Sequence, residues 1–235
     1  MLISLTERLF TMITKLKFII SGIAILLMLP NNMTAQESDL GNWLIYIGSK
    51  KLNSKWNIHN EVQYRNYDVV GDLEQLMLRT GLGYNLSDQN HNLLLGYGYV
   101  LSENYVQPLD EKMAVNEHRI FQQLTSKDCI GEVSITHRYR FEQRFIAEDY
   151  KMRLRYFVAA KTPLTKTNEG HTKAYISIYN EVFLNTKSAV FDRNRFYMGL
   201  GYQLNEQIRL EAGYMNQLFE NSGRDQLNLI TLINF

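Results

Sequence analysis

Cysteine is almost missing from this sequence: Cys129 is the only one in 235 residues. A single thiol excludes an intramolecular disulfide framework and a Cys-rich metal site; it reads as a bystander, buried or near a turn. Proline is nearly as scarce, at 3, so little interrupts long strands, whose ladders proline would break. An excess of one charge is also lacking. The 25 Lys and Arg against 24 Asp and Glu leave +1, so no overall basic field points to nucleic acid. Mean hydropathy is −0.27, which argues against a helical membrane bundle. It does not argue against a barrel, whose strands are apolar on one face only.

One continuous apolar run exists. Phe18 to Leu29 follows Lys15 and Lys17 and leads to Met33-Thr34-Ala35-Gln36. A basic start, an apolar stretch of about 7–15 residues and a small residue at the cut describe a secretory signal peptide. Cleavage is expected after Ala35, with residues 1–35 as the signal and 36–235 as the mature domain. Met12 is an alternative start to Met1. The competing reading is an uncleaved anchor, for which the run is short against the roughly 20 residues of a span.

What the mature chain has in abundance is tyrosine, 15 in all, together with a two-residue period. Eleven segments alternate polar and apolar side chains: 42–50, 56–67, 74–86, 91–102, 115–126, 130–146, 150–161, 172–186, 193–204, 207–220 and 225–235. In the clearest, Arg138, Arg140, Glu142 and Arg144 oppose His137, Tyr139, Phe141 and Phe145. Most of these segments exceed the about 5–6 residues of an ordinary strand and suit the about 9–11 of a tilted membrane strand. The fold class expected is all-β: an antiparallel transmembrane β-barrel with apolar faces toward lipid. The alternative is a soluble secreted β-sandwich or lipocalin-like barrel.

Short polar turns are expected at Ser87–Asn90, Ser126–Asp128 and Asn205–Gln207, alternating with longer links at Ser102–Ala114 and Thr186–Asp192, as in bacterial barrels. The long link Thr162–His171 breaks that alternation. Single-chain bacterial barrels normally have an even strand number. Ten strands are therefore expected, with twelve as the runner-up. The eleventh segment then means that 42–50 is not a full spanning strand, that the N-terminal stretch threads the lumen, or that one hairpin is placed wrongly. The chain ends Leu227-Asn228-Leu229-Ile230-Thr231-Leu232-Ile233-Asn234-Phe235. The alternation and the final aromatic resemble the signal that barrel-assembly machinery reads, so Phe235 is expected to meet that machinery.

The polar faces carry both signs. Arg138, Arg140, Glu142, Arg144, Arg153, Arg155, Glu117, Arg119 and Glu181 form the candidate luminal charge network. It reads either as an anion-selective constriction or, preferred, as an electrostatic filling of Arg–Glu pairs. Glycines 81, 83, 96, 98, 199, 201 and 213 share this face, where they let strands curve or leave room for arginine. On the opposite face His118, Gln122 and His137 make a candidate lipid-face polar patch, with the two histidines about one diagonal apart. A lipid hydrolase would place a serine there, but Ser134 and Thr136 point inward by parity, so no nucleophile–base set is found. The histidines read better as a headgroup-belt pair or an oligomer contact. Asp68, Asp72 and Glu74 read as an ordinary acidic loop, with a divalent-cation site as the alternative. No cofactor is implied.

Several motifs resemble a family of uncharacterised Bacteroidetes-type outer-membrane barrels, domain of unknown function 2490. They are Gly41-Asn42-Trp43, Lys50-Lys51-Leu52 with Lys55-Trp56, and Glu117-His118-Arg119 with Gln122-Gln123. Further along come His137 through Phe145, Tyr179-Asn180-Glu181, and Phe191-Asp192-Arg193-Asn194-Arg195 followed by Gly199-Leu200-Gly201-Tyr202. The resemblance implies a barrel in the outer membrane with membrane lipid as its surroundings, and it supplies no catalytic residues. The expected function is a non-enzymatic barrel, either structural or passing small solutes through a narrow charged lumen.

Overall fold

The computed structural model describes residues 40–86, 90–106, 111–187 and 189–235. The signal-peptide segment, the cut after Ala35 and most of the turn at Ser87–Asn90 lie outside the described residues, as do residues 107–110.

Eleven strands follow one another: β1 (Gly41–Lys51), β2 (Trp56–Asn66), β3 (Leu73–Asn85), β4 (His91–Val106), β5 (Glu111–Ile130) and β6 (Val133–Ile146). They continue with β7 (Asp149–Lys166), β8 (Thr172–Asn185), β9 (Phe191–Gln203), β10 (Ile208–Leu218) and β11 (Gly223–Asn234). Each pairs antiparallel with its chain neighbours, and β1 closes on β11 to complete a barrel. That closing pair is parallel, with Gly41 opposite Gln226 and Ser49 opposite Asn234. The ten-strand expectation, and twelve as runner-up, are corrected to eleven. The segment at 42–50 is a full strand bonded on both sides. An odd number closes because β1 and β11 point the same way, and parallel strands still exchange evenly spaced hydrogen bonds. At the usual strand spacing and tilt, eleven strands give a backbone diameter of about 22 Å.

The connections differ from the expected alternation of short and long. Ser126, Lys127 and Asp128 are not a turn but part of β5, facing His137, Thr136 and Ile135 of β6. The chain reverses at Gly131, whose φ of +59° suits a residue without a side chain. Likewise β7 runs on to Lys166, with a register irregularity around Pro163, so the link at Thr162–His171 shrinks to an ordinary turn. All ten connections span two to six residues.

Side-chain placement follows the two-residue period and inverts the polarity of a soluble protein. Inside, Glu142 is 0% exposed, Arg140 3% and Arg153 4%; outside, Leu229 is 50% exposed, Leu95 59% and Leu200 62%. The interior is not wholly ionic. Trp43, Ile45, Tyr197, Met215 and Ile230 form a buried apolar cluster along the β1, β9, β10 and β11 side. The glycines make room chiefly for aromatic rings. A Cβ at Gly96 would collide with the Phe121 ring, and one at Gly201 with Tyr175.

Candidate functional site

The luminal charges are set by parity. Once β5 to β9 are in register, inward positions of five neighbouring strands bring carboxylates under guanidinium groups. Glu142 of β6 accepts from Arg153 Nη2 at 2.7 Å and from Arg155 Nη1 at 2.6 Å. Arg140 Nη1 stands 3.7 Å from it. Glu181 of β8 accepts from Arg155 Nη2 and from Arg138 Nη2, each at 2.8 Å. Glu117 of β5 is shared by Arg119 Nε at 2.6 Å and Arg144 Nε at 2.5 Å. Arg153 also reaches Asp192 at 2.9 Å. All nine residues of the candidate network are therefore ion-paired, in two sets: Arg138, Arg140, Arg153 and Arg155 around Glu142 and Glu181, and Arg119 with Arg144 around Glu117.

Several of these contacts skip strands: Arg138 crosses from β6 to β8, Arg153 from β7 to β9, and Lys161 of β7 pairs with Glu211 of β10. Arg140 turns instead to neutral partners, donating from Nε to Gln123 Oε1 at 2.9 Å and lying over Phe121. Fork-shaped donors on carboxylates are strong when both are withdrawn from water, but each carboxylate here serves two or more arginines. The lumen thus holds more arginine than acid.

The outward polar patch is not one site. His118 faces Phe145 across the ladder, whereas His137 faces Ser126, eight residues further along β5. At about 3.3 Å per residue this separates the histidines by about 26 Å, so the one-diagonal spacing is corrected. That spacing rested on a hairpin turn around Ser126–Asp128, which the ladder instead takes into β5. His118 bonds Tyr97 Oη at 2.6 Å, His137 bonds Tyr156 Oη at 2.9 Å, and Gln122 donates to Gln143 at 3.3 Å.

The β4–β5 pairing brings together a serine and a histidine that were not expected to meet. Ser126 Oγ lies 3.2 Å from His91 Nε2 on the outer wall. Such a pair is where acyl transfer starts, but an oxyanion hole needs backbone N–H groups free to donate. The ladder runs through this pair on both sides, with Ser126 opposite His91 on β4 and His137 on β6. Its geometry is that of a cross-strand polar pair.

Nor do Asp68, Asp72 and Glu74 gather for a cation; no group of three metal-binding side chains occurs among the described residues. Glu74 pairs with Arg224 at 2.9 Å, and Asp72 pairs with Lys112. Asp72 ends the β2–β3 connection at a φ of +51°. It also accepts from Tyr105 Oη at 3.0 Å, and Lys112 donates to Leu73 O at 2.7 Å. The hydrogen bond from Lys112 holds the Asp72 carboxyl below its usual range. A carboxylate lowered by folding stabilises above the ordinary value near about 4 and loses that contribution as pH falls through its lowered one. Protection of the amides of residues 67–72, taken relative to their intrinsic exchange rates, is accordingly expected to fall below about pH 4, and Asp72→Asn to abolish that loss.

Together these features define a class: a closed all-β barrel with an ionic interior and an apolar exterior. The chain belongs to the family described as Protein of unknown function (DUF2490), which matches residues 40–228. It is similar to an uncharacterized protein of Methylorubrum extorquens, 31% identical over 167 residues, covering 67% of this chain and 69% of that protein. No solved structure matches it.

Proposed function

We propose that this protein is an integral barrel of the bacterial outer membrane, its outer wall in lipid and its middle closed by ion pairs, serving a structural rather than a catalytic role. The observation that carries the reading is the exposed apolar belt. Leu78, Leu95, Ile120, Leu154, Leu200 and Leu229 stand on six different strands around the whole circumference. Water-facing surfaces rarely keep contiguous apolar patches beyond a few hundred Å², whereas hydrocarbon favours them and demands a closed ladder. His118 and His137, near opposite rims with tyrosine partners, match the aromatic girdles that flank an apolar band about 25 Å tall.

Buried arginines such as Arg140, Arg153 and Arg155 fill the middle of the lumen. That packing favours a plugged barrel over free passage of solutes. The test uses nitroxide labels at Tyr139→Cys and Leu200→Cys in a Cys129→Ser background, since Cys129 is exposed. In native membranes both labels are expected to be reached by oxygen and shielded from a water-soluble nickel reagent. Labels as open to the nickel reagent as a free nitroxide in buffer would overturn the reading.

A further inference from the structure

The arginines that drew attention in the sequence each stand within ion-pair reach of a glutamate; two others do not. Arg65 of β2 and Arg195 of β9 are 5% and 7% exposed, and neither has a carboxylate at ion-pair distance among the described residues; Glu74 for Arg65, and Glu181 opposite Arg195 in the ladder, act on them only from further off. Arg65 donates to the neutral side chains of Gln63 and Gln75. The side-chain bond of Arg195 is Nε to Gln217 Oε1 at 2.7 Å, which leaves the end of its fork uncommitted among the described residues. Both guanidinium groups converge on one ring, with Cζ 3.8 Å and 4.8 Å from the centre of Trp43.

Around that ring, polar atoms go begging. Trp43 Nε1, both amide atoms of Gln226 and Asn228 Oδ1 are buried without a hydrogen-bond partner among the described residues. Trp43 sits between Arg65 and Asn228 in the wall. Gln226 lies over Gly41, where a Cβ would strike its Oε1, and Arg224 closes the same corner from the rim. Buried charge with no counter-charge in direct contact is costly, and a cation–π contact offsets only part of it. Unpaired buried donors add to that cost.

We propose that the lumen beside Trp43 binds a small tetrahedral oxyanion of the phosphate or sulfate kind, taken from the aqueous phase. The fork of Arg195 and the indole N–H hold its oxygens, the Gln226 amide supplies a further donor, and Arg65 contributes charge. Planar guanidinium forks suit such ligands better than a point charge does. The site requires the closed barrel alone, whichever medium bathes the outer wall.

The chain has two tryptophans, so Trp56→Phe leaves Trp43 as the only indole. That variant, purified from membranes in detergent micelles, is titrated with inorganic phosphate at an ionic strength held constant with sodium chloride. A saturable change in indole emission is expected. Adding Arg195→Gln should raise the midpoint tenfold or more, and Arg195→Lys should fall between. Absence of saturation, or the same midpoint in Arg195→Gln, would overturn the proposal. Should Arg195→Gln fail to fold, Asn228→Asp replaces it. A resident carboxylate should satisfy the arginines and abolish the phosphate response; an undiminished response would equally overturn the site.

Discussion

Glu142→Gln is expected to unfold the barrel at markedly lower denaturant than the parent protein. Glu142 is 0% exposed and holds Arg153 and Arg155 at 2.7 Å and 2.6 Å, with Arg140 at 3.7 Å. Glutamine keeps the volume and one acceptor oxygen but removes the charge, leaving three buried guanidinium groups around a neutral amide. Removing one partner of a buried ion pair costs roughly 3–5 kcal/mol, mostly from stranding the other. Glu132→Gln is the contrast. Its partner is Lys166, and the two side chains are 68% and 41% exposed. Exposed pairs contribute about 0–1 kcal/mol. Guanidinium unfolding in micelles, followed by the shift between folded and heat-unfolded gel mobility, should show a large drop in midpoint for Glu142→Gln and almost none for Glu132→Gln. Equal midpoints would mean that the ionic lumen contributes nothing.

Leu229→Arg should be nearly as damaging, for the opposite reason. Leu229 stands near the middle of β11 and is 50% exposed on the outer wall; Leu204, just beyond β9 at the rim, is 49% exposed. In water the two positions are equivalent. In a bilayer they are not: arginine costs about 2–4 kcal/mol at the midplane and about 0–1 kcal/mol near the interface. Unfolding from lipid vesicles should separate Leu229→Arg from Leu204→Arg by roughly that difference. If both are tolerated alike, the belt does not face hydrocarbon.

How far this architecture could be read from residues depended on whether the signal was local. The two-residue period is a property of each strand alone, and it located all eleven segments and the inward side of those whose two faces differ in polarity; both faces of β1 carry apolar residues, and there Trp43 and Ile45 turn inward. Hairpin positions were less legible. Ser126-Lys127-Asp128 has turn composition, but its backbone groups are taken up by β6, and the reversal waits for Gly131. The same slip brought His118 and His137 falsely together. Strand number failed for another reason: a parallel closure leaves no mark within either strand, so the custom of even numbers outweighed the eleven segments counted. The arginines of β6 and β7 stood out because they are close in sequence. The Trp43 corner did not, because Arg65, Arg195 and Gln226 come from β2, β9 and β11 and meet only once the wall has closed.

The shared direction of β1 and β11 also governs what can be done to the backbone. Leu40 and Phe235 flank strands that run side by side for nine paired positions, so they lie on opposite rims, about 30 Å apart at the usual rise per residue. Splicing them to make a circularly permuted variant with a short linker is therefore ruled out by reach. Any bridging peptide has to traverse the height of the wall, whereas in an even-stranded relative the same graft would be a simple hairpin.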